Sequence, residues 1–520
     1  MNKLAQYLNQ HLLGEVATDD SVTNKFATDG SILTIQPEIV AFPRTTNDVR
    51  KLLRFAWQLA EKGHQLPVTA RGAGTNITGA TLTSGVVVSL TEHMNKLLEY
   101  DPKQRLVRLQ PGVRVGELQN ALFLQGVTIP ALQGIDEAAT IGGVITDGWT
   151  TTDINSWVEQ VEVVLANGDV LQTKRLSKRE LSKKEGLQTL EADIYRKVDG
   201  LIEDNQKAID ELATDSAGYN GITGVRRKDG TFDLMPLLGG SQGTLGIISE
   251  LILKAEYTSP KRAAVVAAFD DPAKARDALD KLTKVDPSRV EYFSAEMIDE
   301  ARQTGKVFGG DMERPTLLVV WYDNASYRGQ LRKLKRAAKL LEQAGATVEQ
   351  AENISESDLA NIESLAAAAF HADEKGASSL PIVDGMYVPI ERFEEFAHEL
   401  AELAKKRRVS LPLYGLPLEN IWTTRPILNL DTVGGKQSAL RLIDDIAKLL
   451  EKHGGSLAGV HGEGLLQASH IQNAQSPEVN SLFEEIKNTF DPHNILATGV
   501  KQPLSVHELV AKLRGSHHKK

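Results

Sequence analysis

Cysteine is absent from all 520 residues. The chain therefore cannot assemble a disulfide, a thiolate nucleophile, a cysteine-ligated zinc or an iron–sulfur cluster from its own side chains. A thiol-free composition suits a reducing compartment, so a cytoplasmic location is expected. Basic excess is missing too: the net charge is −10, which leaves no global field to hold nucleic acid. No run approaches the ~18 uninterrupted apolar residues of a spanning helix. The opening stretch MNKLAQYLNQHLLGEV lacks the apolar core of a signal peptide. No internal repeat or low-complexity tract is present. What remains has the balance of a globular protein, 41% hydrophobic and 25% charged, and is long enough for two or three domains.

The pattern divides the chain into a helical arm over 1–23, a first domain over 24–258, a second over 259–470, a returning segment over 471–502 and a tail over 503–520. In the first domain, short apolar strands alternate with glycine-rich turns: strands are expected at 40–43, 66–69, 85–90, 105–110, 158–165 and 247–253. A helix is expected over 46–62, capped by Thr46 or Asn47, with others over 115–125 and 193–212. Residues 174–184 carry six basic side chains and read as a solvated loop, with a docking patch for anionic lipid or a partner as the other reading. In the second domain, strands at 263–269, 316–321 and 386–389 alternate with helices at 272–282, 327–343, 392–406 and 437–452. That alternation fits an α+β domain in which helices cover one face of an antiparallel sheet.

The sharpest local feature is Arg71-Gly72-Ala73-Gly74-Thr75-Asn76-Ile77-Thr78-Gly79. Its glycines let backbone amides turn toward one concavity, a nest suited to a pyrophosphate. Arg71 would add charge, and Thr75, Asn76 and Thr78 would add side-chain hydrogen bonds. A dinucleotide fingerprint is ruled out, because Ile77 replaces the third glycine and a strand follows where a helix is required. A P-loop is ruled out by the missing Gly-Lys-Ser/Thr. Two further clusters, Ala138 to Gly148 and Gly239 to Ile248, have the same glycine-rich character.

Together, Arg71 to Asn76, Ala139-Thr-Ile-Gly-Gly143 and Gly240-Ser-Gln-Gly-Thr-Leu-Gly-Ile-Ile248 resemble the flavin motifs of the vanillyl-alcohol-oxidase superfamily. The nearest branch is that of FAD-linked D-lactate dehydrogenase and the FAD subunit of glycolate oxidase. Ser216 to Asn220, His461-Gly-Glu-Gly464 and Phe490 to Leu496 are similar as well, so the resemblance spans roughly 24–502. It implies an α+β fold with a bipartite FAD-binding domain of two α+β lobes and an α+β cap domain over the flavin. By the same resemblance Arg71, Gly72, Ala73, Gly74, Thr75, Asn76 and Gly79 would line the pyrophosphate. Thr140, Gly142 and Gly143 would pack along the flavin, with Gly243 and Ile248 contacting it from the third motif. Relatives that tether flavin use a histidine in the first loop; Thr75 stands in that neighbourhood, so the FAD is expected to be non-covalent.

The substrate side departs from the pattern. Members that oxidise D-2-hydroxy acids carry a Gly-His…Asn-x-His segment and a later Glu-His-Gly that hold a divalent metal. The matching stretch here, Tyr414 to Pro426, has no histidine, and Val460 replaces the glutamate before His461. No metal site is expected. The Trp-x-x-Arg clamp for the substrate carboxylate is also missing from Ile362 to Phe370; Arg425 is the candidate replacement. His461 is the acid–base candidate, because a neutral imidazole suits removal of an α-hydroxyl proton. Tyr387 is a further catalytic candidate, with Tyr414, Glu419 and Glu463 behind it. The expected activity is FAD-dependent oxidation of a small D-2-hydroxy acid such as D-lactate or glycolate. Electrons would leave to a quinone or a separate electron-carrier protein, with peripheral contact at the inner membrane face as an option. The alternatives are a flavin enzyme for another alcohol or sugar, or a flavin-binding protein without turnover.

Overall fold

The computed structural model describes residues 3–148, 154–212, 215–258, 263–303, 316–322, 326–350 and 378–514. The chain forms two compact units. Residues up to Ala121, Ile129–Glu256 and Ala458–Leu513 make the first; Leu122–Thr128 and Tyr257–Leu457 make the second. The chain thus returns to the first unit at Ala458, so residues 458–470, expected in the second domain, belong to the first. Ser216 is one reason: its amide and hydroxyl both donate to the Ala458 carbonyl, each at 2.7 Å.

The first unit holds two sheets. One contains β1 (Glu15–Ala17), β2 (Ile39–Phe42), β3 (Val68–Arg71) and β4 (Val86–Ser89) in the order β1-β2-β4-β3. β1 is antiparallel to β2, whereas β4 runs parallel to both its neighbours. Parallel neighbours need a crossover, usually a helix. Here the β3–β4 crossover is the glycine loop itself, which therefore emerges at the C-terminal end of β3. The helix Thr46–Ala60 buries Val49, Leu52, Leu53 and Ala56, the i, i+3, i+4, i+7 stripe, in the core that contains these strands. The helix starts at Thr46 as expected, but its cap is Thr45, whose side chain accepts from the Asp48 amide, rather than Thr46 or Asn47. Asp48 is buried and accepts from the Leu13 and Arg44 amides, each at 2.9 Å. Ala5 and Leu8 of the first helix lie in the same core, so the helical arm packs on this lobe.

The second sheet is antiparallel throughout: β5 (Leu97–Asp101), β6 (Leu106–Leu109), β7 (Val158–Val164), β8 (Val170–Gln172) and β9 (Ile247–Lys254), ordered β5-β6-β9-β7-β8. The basic segment after it is not a loop. Lys178–Glu185 is a helix whose start is fixed by a capping box between Ser177 and Glu180. Lys174 pairs with Glu180, Arg175 with Asp233 and Lys184 with Glu191, so half of its six basic side chains are already in ion pairs.

The second unit is built on a seven-stranded sheet of β10 (Ala263–Phe269), β11 (Arg289–Phe293), β12 (Thr316–Tyr322), β13 (Thr347–Gln350), β14 (Val383–Tyr387), β15 (Leu413–Leu416) and β16 (Ile421–Thr424). Its order is β13-β10-β12-β11-β15-β16-β14, with every pairing antiparallel. The helices Pro272–Leu282 and Tyr327–Gln343 begin and end where the sequence places them and pack on β10 and β12. Helices do not keep to one face, however. β10 is buried at all seven positions, and Ala264, Val266 and Ala268 pack with Met297 and Ile298 of a helix over Ala295–Gln303. The fold is α+β, as the motifs imply.

Candidate functional site

The first glycine loop differs from the other two in what its amides do. From Gly72 to Asn76 no backbone N–H donates to any described group, although all five residues are only partly exposed. Buried or half-buried amides are nearly always paired, so five consecutive unpaired donors mark a cradle for an anion. Gly74 makes it possible: its φ is +75°, and a Cβ there would lie 2.3 Å from Nη2 of Arg71. Arg71 is a brace. Its guanidinium donates to the carbonyls of Phe26 (3.3 Å) and Thr28 (2.8 Å) and lies over the Phe26 ring. Asp29 lies close to it, buried, accepting from the Ser31 amide and from the hydroxyls of Ser31 and Thr81.

The second cluster is a helix, Ile141–Asp147, rather than a nest. Thr140 caps it, and the amides of Ile141 and Gly142 are already bonded to the carbonyls of Val113 and Pro111. Gly142 and Gly143 are therefore helical, and Gly142 lets the helix approach Pro111 closely. Gly72 meets this helix at its cap, where a Cβ would fall 2.0 Å from the Thr140 hydroxyl. The third cluster locks onto the helix: the amides of Gly240 and Gln242 donate to the carbonyls of Ile145 and Thr146. Gly243 is open, with φ +76° and nothing within 4 Å of the place a Cβ would take. Ile248 lies in the β9 ladder opposite Val163.

These three segments meet the turn that carries His461. Gln242 ties them: its Nε2 donates to the His461 carbonyl at 2.9 Å and to the Thr78 hydroxyl at 3.2 Å, and its Oε1 accepts from the Gly464 amide at 2.9 Å. The Gly462 amide donates to Ser216 Oγ at 3.0 Å. So held, His461 adopts φ +71°, a conformation that only a constraining surround sustains in a residue with a Cβ. Its Nδ1 lies 3.0 Å from Oδ2 of Asp147, and both side chains are 15% exposed. Oδ1 of Asp147 accepts from Nδ2 of Asn76 at 2.6 Å. The side chain of Asn76 is engaged with its own loop and with Asp147, while its backbone amide stays in the cradle. Glu463 is no rival partner for the imidazole. Its carboxylate accepts from the Gly218 amide and from Lys501 at 2.7 Å, in a pair buried on both sides. The C-terminal return adds a last support: Lys487 donates to the carbonyls of Thr244 and Leu496 and to Asp491.

Arg425 and Tyr387 belong to the second unit. The Arg425 guanidinium is bound to the buried Asp384, by Nε at 2.6 Å and also by Nη2. Tyr387 exchanges backbone hydrogen bonds with Ser456. The stretch expected to carry metal ligands is the hairpin β15–β16, where Trp422 stacks on Phe393 at 3.5 Å and covers Gly415. Glu419 follows β15; burial pushes its carboxyl up to about 7, and its Oε2 has no hydrogen-bond partner. Residues 362–370, the stretch that would match the carboxylate clamp, lie outside the described residues. Among the described residues no group of three or more His, Asp or Glu is arranged to hold a metal, and no helix is long and apolar enough to cross a membrane.

Asp147, Gln242 and Thr78 are the residues the sequence did not single out for this place. All three sit inside the glycine motifs, yet nothing local marks them, because their partners lie far along the chain.

Comparison with known proteins identifies the domains that carry these segments. An FAD binding domain is matched over residues 37–174, and the C-terminal domain of FAD-linked oxidases over 258–500. The chain is 28% identical to D-2-hydroxyglutarate dehydrogenase of Escherichia coli K12, over 96% of its own length and 51% of that protein's. It thus spans about half the length of the curated relatives it matches first. It is also 25% identical to the glycolate oxidase subunit GlcD of Bacillus subtilis 168, over 89% of this chain and 88% of that one. In fold it is similar to 4-ethylphenol oxidase from Gulosibacter chungangensis, with TM-score 0.70, 14% identity and 97% of each chain covered. The amide cradle fits the phosphates of FAD, and the chain carries, in order, an FAD binding domain and the C-terminal domain of FAD-linked oxidases, with FAD as its cofactor.

Proposed function

We propose that this protein oxidises a small D-2-hydroxy acid to the 2-oxo acid, with His461 as general base and FAD held without a covalent bond. The carrying observation is the imidazole itself, set on a constrained turn beside Asp147 in the unit that holds the amide cradle. Relatives named for D-2-hydroxyglutarate and glycolate support the substrate class. Bound FAD supplies the acceptor for the hydride released as the α-carbon–hydrogen bond breaks. The chain's part is to take the hydroxyl proton at Nε2 of His461, so that the carbonyl forms as the hydride leaves. General-base catalysis of this kind contributes about 10²- to 10⁴-fold. Arg425 is the proposed partner of the substrate carboxylate, and Tyr387 is the next acid–base candidate after His461. Electrons then pass to a quinone or a separate carrier protein, since no cysteine is present to hold an iron–sulfur cluster.

One observation favours a second reading, an alcohol or sugar without a carboxylate. Arg425 is already neutralised by Asp384, which weakens its pull on a second anion. Anaerobic mixing with D-2-hydroxyglutarate, D-lactate, glycolate, simple alcohols and sugars separates the two, read as bleaching of the flavin band. Reduction by hydroxy acids alone supports the first reading, and reduction by neutral alcohols alone replaces it. His461→Gln should slow reduction by about 10²-fold or more with FAD content intact. A wild-type rate in that variant would end the assignment of the base.

A further inference from the structure

The neighbours of His461 fix more than its place. A neutral imidazole carries its proton on one nitrogen and offers a lone pair on the other, so it is a base at a chosen atom only if its tautomer is fixed. We propose that Asp147 is a positioning residue: it holds the His461 proton on Nδ1 and thereby presents the Nε2 lone pair to the substrate. The proposal rests on His461 being the base.

The orientation can be traced donor by donor. Oδ1 of Asn76 accepts from the Thr78 amide at 3.0 Å, the Ala80 amide at 2.9 Å and the Thr78 hydroxyl at 3.2 Å. Two of those donors are backbone amides that cannot reverse, so the oxygen of this side-chain amide must face them. Its NH₂ group is then left facing Asp147, to which it donates at 2.6 Å. Asp147 receives that bond on Oδ1 and turns Oδ2 to the imidazole at 3.0 Å. A carboxylate can only accept, so the nitrogen facing it must be the protonated one. The first glycine loop thus dictates the tautomer of a residue almost four hundred positions later, through two side chains.

The backbone of the histidine is held by other means. Gln242 Nε2 donates to its carbonyl, and the next amide is bound by Ser216. Position and tautomer therefore have separate supports. Asp147→Asn keeps the size of the side chain and the acceptor for Asn76, but turns an NH₂ group toward Nδ1. The imidazole must then move its proton to Nε2, where it blocks the base. The variant should keep its FAD and its KM, and lose flavin-reduction rate by about 10²- to 10⁴-fold, the scale of a lost general base.

The experiment uses ¹⁵N-histidine-labelled holoprotein, with the His461 signals assigned by their loss in His461→Gln. Long-range ¹H–¹⁵N correlation distinguishes the two tautomers without any turnover. The expected result is the Nδ1–H form in the wild type and the Nε2–H form in Asp147→Asn, with Asp147→Asn/His461→Gln no slower than His461→Gln alone. An Nε2–H wild type overturns the proposal even if Asp147→Asn does not fold. So does an Asp147→Asn protein that reduces flavin at the wild-type rate while His461→Gln is slow; in that case the base stands and only its positioning is refuted. A His461→Gln protein at the wild-type rate removes the base and the proposal with it.

Discussion

Gly74 offers a test in which magnitude decides between two effects. An alanine there meets two penalties. The backbone stays at φ +75°, which costs an L-residue roughly 1 kcal/mol. The new Cβ also lies 2.3 Å from Nη2 of Arg71, so the guanidinium must leave at least one of its carbonyl partners. A hydrogen bond from a charged donor is worth about 1.5–3 kcal/mol. The sum, about 3 kcal/mol, falls on the loop conformation that presents the amides, and at about 1.4 kcal/mol per decade FAD should bind about 100-fold more weakly. Gly243→Ala is the matched control. Its φ is +76°, but nothing lies within 4 Å of the new carbon, so only the backbone penalty applies and the loss should be about fivefold. Both variants are stripped of flavin and titrated with FAD, reading the quenching of flavin fluorescence. Equal losses in the two variants would refute the reasoning, because the Arg71 clash would then contribute nothing. Wild-type affinity in Gly74→Ala would remove this loop from the cofactor site.

Three further predictions follow from named contacts. Lys501→Met leaves Glu463 buried without its cation and should destabilise the first unit by about 3–5 kcal/mol, seen as an early unfolding transition; unchanged unfolding would mean the pair is not formed. Glu419, pushed up to about 7 from 4.5 by burial, holds a proton in the folded state that the unfolded chain releases. The stability of the second unit should therefore fall as pH rises through that window, by about 3 kcal/mol in all, and Glu419→Gln should flatten the dependence in urea titrations. Dialysis against EDTA should leave flavin reduction unchanged, and a loss reversed by zinc or manganese would expose ligands that the hairpin β15–β16 and Val460 do not offer.

The parts of the fold legible in the sequence are those written in local pattern. The helices over 272–282 and 327–343 have their apolar stripes and caps within a few residues, and the period does not depend on what packs against it. The basic segment was legible too, through Ser177 and Glu180 at capping-box spacing, but the charge run masks that signal. The second glycine cluster misleads for a physical reason. Glycines at 142 and 143 suggest an open nest, whereas the helix needs a small residue at 142 to approach Pro111, and Thr140 supplies the cap. The residues that build the site around His461 leave no local trace. Asp147 reaches a partner 314 positions away and Gln242 one 219 away, and a contact of that span has no period, cap or turn to announce it.

That separation explains why the missing metal ligands do not empty the site. A divalent cation beside a substrate hydroxyl would favour its deprotonated form through its own charge. Here the charge next to the imidazole is a carboxylate, which favours the opposite ion, an imidazolium formed when the proton arrives. The two arrangements serve the same proton transfer from different ends: one stabilises the alkoxide left behind, the other the base that has taken its proton. Val460 and a stacked Trp422 stand in the stretches where the ligands of the first arrangement were expected. The Asn76–Asp147–His461 series is what the described residues offer for the second. The loop, helix and turn that carry that series are joined by Gln242, so the same contacts that shape the flavin lobe also aim the proposed base.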